Sequence, residues 1–201
     1  MTSGLVMEST DSLSLLIEQC KSMKGRDDVR ENGALRKLCI DLNALRQDRK
    51  CYVLALRALR NACAGSLINV HVLVEHNILA EIYEFLTFLR DMEPPGDDLE
   101  FHEEKKSIVT ASYQLLANVC NCGEVGAYSF WTYFGTEGLT HLLALAVAVK
   151  SPDAVGAALA AVHACLVHEP GGQTTCTTQL LQCKGRSIVR HGVSKGVYGC
   201  R

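Results

Sequence analysis

The chain has 201 residues, of which 48% are hydrophobic and 21% charged, a balance typical of a folded protein with a sizeable core. Its net charge of -2 does not favour a dedicated nucleic-acid binder. No apolar run reaches the roughly 18 residues that predict a membrane-spanning helix, so no membrane insertion is expected. Residues 1–16 contain no Lys or Arg, unlike a secretory signal. We therefore expect a cytoplasmic protein whose 10 cysteines are reduced thiols.

Apolar residues recur at helical spacing from residue 11 to residue 169. The first helix carries Leu13, Leu16 and Cys20 on one face, and Gly25 is its expected stop. Further helices are predicted at 35–45, 51–64, 78–89, 103–121, 139–149 and 152–167, the last with Ser151 as its cap. Strand signals are nearly absent before residue 170. The sequence therefore predicts an all-α fold.

A short internal sequence repeat predicts how these helices are arranged. Leu59-Arg-Asn-Ala-Cys63 recurs 57 residues later as Leu116-Ala-Asn-Val-Cys120. Several of the predicted helices are also apolar nearly all round, which requires neighbours on most sides. Armadillo and HEAT proteins meet that requirement by stacking repeats of two or three helices into one continuous core. We therefore predict an armadillo-like α-solenoid of stacked helices over residues 11–169.

Three segments resemble a known family. They are Leu56-Arg-Ala-Leu-Arg-Asn-Ala-Cys63 with the following Leu67-Ile-Asn69, then Leu115-Leu-Ala-Asn118, and upstream Gly25-Arg-Asp-Asp28. They resemble the ataxin-10 family, the upstream segment being similar to its plant and algal members, over residues 12–169. The resemblance implies an armadillo-like protein-interaction scaffold, linked in the family to cytokinesis, to centrosome and cilium-associated roles and to neurite growth. Family members continue into a C-terminal domain, which nothing in this sequence matches.

Arg57, Arg60 and Asn61 are the best candidates for protein binding, because positions i, i+3 and i+4 share one helix face. On an apolar inner helix, this stripe is expected to line an exposed groove. Asn there can bond to the backbone of an extended peptide, and Arg can hold a carboxylate or phosphate. Asn118 repeats Asn61 in register, while apolar residues replace the arginines. The structural alternative is that each Asn satisfies a neighbouring helix end or loop.

No arrangement of residues favours catalysis, a metal or a cofactor, and we expect none of the three. Cys120 and Cys122 are separated by one residue, whereas zinc sites use spacings of two to four. His71 and His76 are five apart, so they do not share a helix face. No nucleophile elbow or phosphate-binding glycine loop is present. An enzyme that uses a reactive cysteine is kept as a further alternative.

Three other segments are distinctive. The acidic run 91–104 has seven carboxylates and no Lys or Arg, which predicts a solvated loop or a surface that attracts a basic partner. The aromatic cluster 128–134 predicts packing between repeats or a binding anchor. The tail 170–201 is rich in Gly and Cys and has five basic residues and no acidic residue. We expect it to be disordered, and a retained intron or a frameshift would give the same composition.

These observations favour a non-enzymatic scaffold whose partners are other proteins, with self-association left open. The alternative is a truncated, structurally incomplete product of a longer solenoid protein, since an uncovered solenoid end exposes apolar surface.

Overall fold

The computed structural model describes residues 9–92 and 98–168, and every regular element in these two ranges is a helix. The all-α prediction is confirmed for this part of the chain. The predicted disordered tail, 170–201, lies outside the described residues. The α-helices are α1 (Thr10–Gln19), α2 (Met23–Glu31), α3 (Ala34–Asp41), α4 (Arg49–Cys63), α5 (Leu67–Glu75), α6 (Ile78–Asp91), α7 (Leu99–Asn121), α8 (Glu124–Ala148) and α9 (Pro152–Val167). A short 3-10 turn, Ala44–Gln47, precedes α4.

Side-chain caps fix where several of these helices begin. The Asp48 carboxylate accepts hydrogen bonds from the N–H groups of Lys50 and Cys51 at the start of α4. Ser151 accepts from the backbone N–H of Ala154 at 3.3 Å, with Pro152 in the first turn, so the predicted cap of α9 is confirmed.

The described parts of the acidic run 91–104 are mostly helical, whereas the sequence predicted a loop. Asp91 is the last residue of α6, and residues 99–104 already belong to α7. The Asp98 carboxylate caps α7 by accepting from the N–H of Phe101 at 3.1 Å, so this helix begins before the predicted residue 103. The expectation relied on the run of charges and overlooked that an Asp cap favours a helix start.

The prediction that Gly25 ends the first helix is wrong. The α1 helix already ends at Gln19, and Gly25 lies in the first turn of α2, where its N–H donates to the Ser22 hydroxyl at 3.0 Å. A Cβ at this position would lie 1.8 Å from the Gln19 carbonyl oxygen. Gly25 therefore allows two consecutive helices to approach closely, a role that needs no left-handed backbone.

Gly135 interrupts α8 with a φ of 54°, so 124–134 and 136–148 are two helical stretches joined at a kink. The sequence predicted most of the second stretch, as a helix over 139–149. It did not predict 124–134, α2 or α5 as helices. Charged residues dominate α2, aromatic residues are spread around 124–134, and α5 is apolar on most sides, so none of the three shows one clear apolar stripe.

The core lies along a row of four helices, in which α4 packs against α1 and α7, and α7 packs against α9. The fully buried residues of this core include Tyr52, Leu56 and Leu59 of α4 and Tyr113 and Leu116 of α7. The outer faces are covered by α2, α3, α5, α6 and α8. None of the helices within 9–92 and 98–168 combines the length and the hydropathy that a membrane span requires.

Candidate functional site

A polar cavity of about 480 Å³ lies between α1, α4, α7 and the start of α9. Arg57, Arg60 and Asn61, three of the four predicted binding residues, line it together. Asn118, the fourth, is not among its lining residues. The stripe on α4 therefore faces a recess that residues of α1, α7 and the start of α9 also line.

Arg60 is held in place by neutral oxygens. Its Nε and Nη2 atoms donate to the Asn61 side-chain oxygen at 3.1 and 3.0 Å, and its Nη1 atom donates to the side-chain oxygen of Gln114 on α7. Partial burial lowers the pKa of the Arg60 guanidinium, and the nearby charge of Arg57 lowers it further. Arg60 stays protonated at neutral pH, so its charge is positioned but not neutralised.

Arg57 is exposed on the same face, one turn earlier. Within 9–92 and 98–168, its guanidinium forms no hydrogen bond or ion pair. The other two cations of the polar cavity differ, because Lys21 pairs with Glu18 at 2.6 Å and Lys106 pairs with Glu103 at 3.2 Å. In the part of the chain that the structure describes, Arg57 and Arg60 are therefore the two cations of the cavity that have no carboxylate partner.

The two predicted asparagines hold helix ends. The Asn61 amide donates to the carbonyl of Ile17 at 3.3 Å, and the Asn118 amide donates to the carbonyl of Arg60 at 3.0 Å. Both carbonyls lie in the last turn of a helix, where backbone oxygens lack an intrahelical partner. The amide N–H groups therefore behave as the alternative interpretation predicted, in which each Asn satisfies the end of a neighbouring helix. The two bonds link α1 to α4 and α4 to α7 at equivalent positions.

Sequence reasoning missed Gln114, which anchors Arg60 from across the polar cavity. When the two similar segments are aligned at their offset of 57 residues, Gln114 takes the position of Arg57. The prediction that apolar residues replace both arginines in the later segment was therefore wrong at this position. Gln114 also lies four residues before Asn118, on the same face of α7. That spacing was the available signal.

A second cavity, of about 470 Å³, shares Arg57 and Ser107 with the polar cavity, so the two adjoin. Glu100, Glu103 and Glu104 of α7 line this second cavity. Glu104 is paired with Arg49 at 2.8 Å, across the α4–α7 contact. The face between α4 and α7 is therefore cationic at Arg57 and Arg60 and acidic towards the start of α7.

The predicted aromatic cluster divides between the core and the surface. Phe130 and Phe134 are buried and stacked, with ring centroids 4.5 Å apart, and Trp131 donates its indole N–H to the Cys165 carbonyl of α9 at 3.2 Å. Phe134 also meets the Tyr83 ring of α6 edge to face, with centroids 5.0 Å apart, so Phe134 and Trp131 pack between helices. Tyr128 is exposed and lines a separate cavity of about 450 Å³ between α5 and α8.

Burial makes the thiols of the core poor nucleophiles. It raises the pKa of Cys20 to about 11 and that of Cys39 to about 12, and it holds the pKa values of Cys63 and Cys120 well above the usual range. Among the residues that the structure describes, no three His, Cys, Asp or Glu side chains are grouped so that they could hold a metal ion.

The comparisons with known proteins give no match. No family model, no curated protein and no solved structure matches the chain.

Proposed function

We propose that this chain is a non-enzymatic protein-interaction scaffold that binds an extended segment of another protein in the polar cavity between α4 and α7. The observation that carries the proposal is the pair of arginines that face this cavity with no carboxylate partner among the described residues. Positioned, unneutralised guanidinium groups in a recess are typical of a surface that recognises a ligand. The raised pKa values of the core thiols support a non-enzymatic reading.

We further propose that the helices form an armadillo-like α-solenoid, as the resemblance to the ataxin-10 family implies. Three consecutive triplets support this arrangement: α2–α3–α4, α5–α6–α7, and the two halves of α8 followed by α9. The last helix of each triplet packs against its counterpart in the triplet before, and α4 packs against α1. The repeated Asn amide bonds fall at these contacts. A role in cytokinesis or in centrosome or cilium-associated assemblies follows as a proposal from the same resemblance.

The experiment is selection of a random peptide library on the full chain, followed by measurement of the dissociation constants of the selected peptides. Ser107 lines both cavities of the α4–α7 face, so Ser107→Trp should obstruct the site and abolish binding. Ile40→Trp is the matched control, because Ile40 is an exposed side chain of α3 outside both cavities. We expect the control to bind as the wild type does.

Two results would overturn the proposal. The first is that the wild type selects no peptide with a dissociation constant below about 1 mM, an affinity too weak for specific recognition. The second is that the Ser107→Trp variant retains both its fold and its affinity for the selected peptides. Circular dichroism of each variant separates loss of binding from loss of structure.

The alternative, part of a longer solenoid, is favoured by one specific observation. Leu159 and Val167 of α9 are 55% and 50% exposed, so the last described helix presents two large apolar side chains to solvent. A further helical layer would cover such a surface. Sedimentation velocity tests this reading: self-association that Leu159→Glu abolishes would support it, and a monomer at all concentrations would count against it.

A further inference from the structure

The charges of the polar cavity carry a more specific inference, which rests on the proposed function. Four cationic side chains (Lys21, Arg57, Arg60, Lys106) and two carboxylates (Glu18, Asp153) line this cavity. Lys21 and Glu18 pair with each other, and Lys106 is paired with Glu103. The remaining charges are two guanidinium groups and the single carboxylate of Asp153, so the cavity keeps a positive excess.

We propose that the polar cavity selects acidic peptides, with an Asp or Glu side chain of the bound segment held between Arg57 and Arg60. An arginine has five N–H donors in a planar fork. Three of the N–H groups of Arg60 are used for Asn61 and Gln114, which leaves two for a ligand. Arg57 uses none of its five on the residues that the structure describes, and it lies one turn away on the same helix face.

The surroundings of the two arginines suit a carboxylate ligand. The neutral anchors of Arg60 fix its orientation without cancelling its charge, and mutual repulsion with Arg57 disfavours the empty arrangement. A carboxylate between the two groups would relieve that repulsion through charge-assisted hydrogen bonds. A lysine of the ligand would be repelled by the same two positive charges. Of the three acidic residues towards the start of α7, Glu103 and Glu104 are paired with Lys106 and Arg49, and Glu100 lies about two turns before Ser107, the α7 residue that lines both cavities.

The test uses oriented peptide libraries that are degenerate except at one central position, fixed as Asp, Glu, Gln or Lys. We expect the full-length wild-type chain to bind the Asp and Glu libraries at least about tenfold more tightly than the Lys library, a difference that two charge-assisted contacts can supply. Arg57→Glu should reverse that order. Arg36→Glu makes the same charge change on an exposed position of α3 outside the cavity, and it should keep the wild-type order.

The outcomes separate this inference from the proposed function. Binding of all four libraries with equal affinity would overturn the acidic preference and leave the scaffold intact, whereas binding of none would overturn both. An Arg57→Glu variant that folds and still prefers Asp and Glu would also overturn the inference. Equal competition by single-stranded oligothymidylate would assign the arginines to nucleic acid instead of a peptide, which would contradict it.

Discussion

Asn118→Ala tests whether the repeated asparagines hold the helices together. The substitution removes the amide that donates to the Arg60 carbonyl at 3.0 Å, while Asn118 lies outside the lining of the polar cavity. The variant should therefore lose stability and keep its affinity for peptide. Asn118→Asp extends the test, because it preserves the size of the side chain but puts a carboxylate oxygen where the N–H donor was.

The expected loss of stability is that of one hydrogen bond, from the half-buried Asn118 amide to the Arg60 carbonyl in the last turn of α4. A hydrogen bond between neutral groups contributes about 0.5–1.5 kcal/mol to the free energy of unfolding, and an unsatisfied carbonyl adds a further penalty where water cannot replace the amide. We expect Asn118→Ala to cost about 1–2 kcal/mol, or roughly 2–8 °C in melting temperature for a domain of this size. Asn118→Asp should cost more, since it places a negative charge against a carbonyl oxygen.

The assay is thermal and urea unfolding followed by far-UV circular dichroism. Asn43→Ala is the matched control, because Asn43 is exposed and its side chain makes no hydrogen bond with any residue in the described ranges. An Asn118→Ala variant as stable as this control, but unable to bind peptide, would refute the reasoning. It would assign the amide to the ligand instead of the neighbouring helix.

Three further predictions concern stability and thiol chemistry. Tyr113→Phe removes a buried hydroxyl that donates to the Leu142 carbonyl at 2.8 Å, and it should cost about 1 kcal/mol in urea unfolding. Asp48→Ala removes the α4 cap and should cost about 1 kcal/mol at neutral pH. The Cys51 and Lys50 N–H groups hold the Asp48 carboxyl pKa below its usual 3.8, so the cap stabilises the fold above that value and is lost as acid protonates it. The difference from wild type should accordingly shrink in acid titrations of stability. Buried Cys39 and Cys63 should resist a thiol reagent at pH 8 until the protein is unfolded, whereas mass spectrometry should find half-buried Cys122 labelled earlier.

The structure also separates two residues that the sequence grouped into one binding stripe. Arg57 is exposed and unpaired within the described ranges, so a change there should affect binding without affecting the fold. Asn61 bonds to the Ile17 carbonyl and anchors Arg60, so Asn61→Ala should lower stability as well. A double variant of Arg57 and Asn61 therefore cannot isolate binding, and Arg57→Glu alone is the cleaner probe.

Helical periodicity predicted the fold class because α4, α6 and α9 each bury a continuous apolar face. It missed α2, where only Val29 is buried, since a helix with one buried side chain leaves almost no apolar stripe. The same limit explains Gly25. A glycine that ends a helix and a glycine that lets two helices touch look alike in a sequence.

The candidate site was predictable in part. The spacing of Arg57, Arg60 and Asn61 placed them on one face, and the structure brings all three to one cavity. The spacing could not show which groups were already bonded. Gln114 and the Ile17 carbonyl come from helices that are distant in sequence, and only tertiary packing brings them within reach of Arg60 and Asn61.

The central claim is that the face between α4 and α7 binds the ligand. The most direct measurement is the change in the amide and arginine side-chain NMR spectra when a selected peptide is titrated into the isotopically labelled chain. We expect the largest shifts to fall on Arg57, Arg60 and the side-chain amide of Gln114. Shifts centred on Tyr128, beside the cavity between α5 and α8, would contradict it.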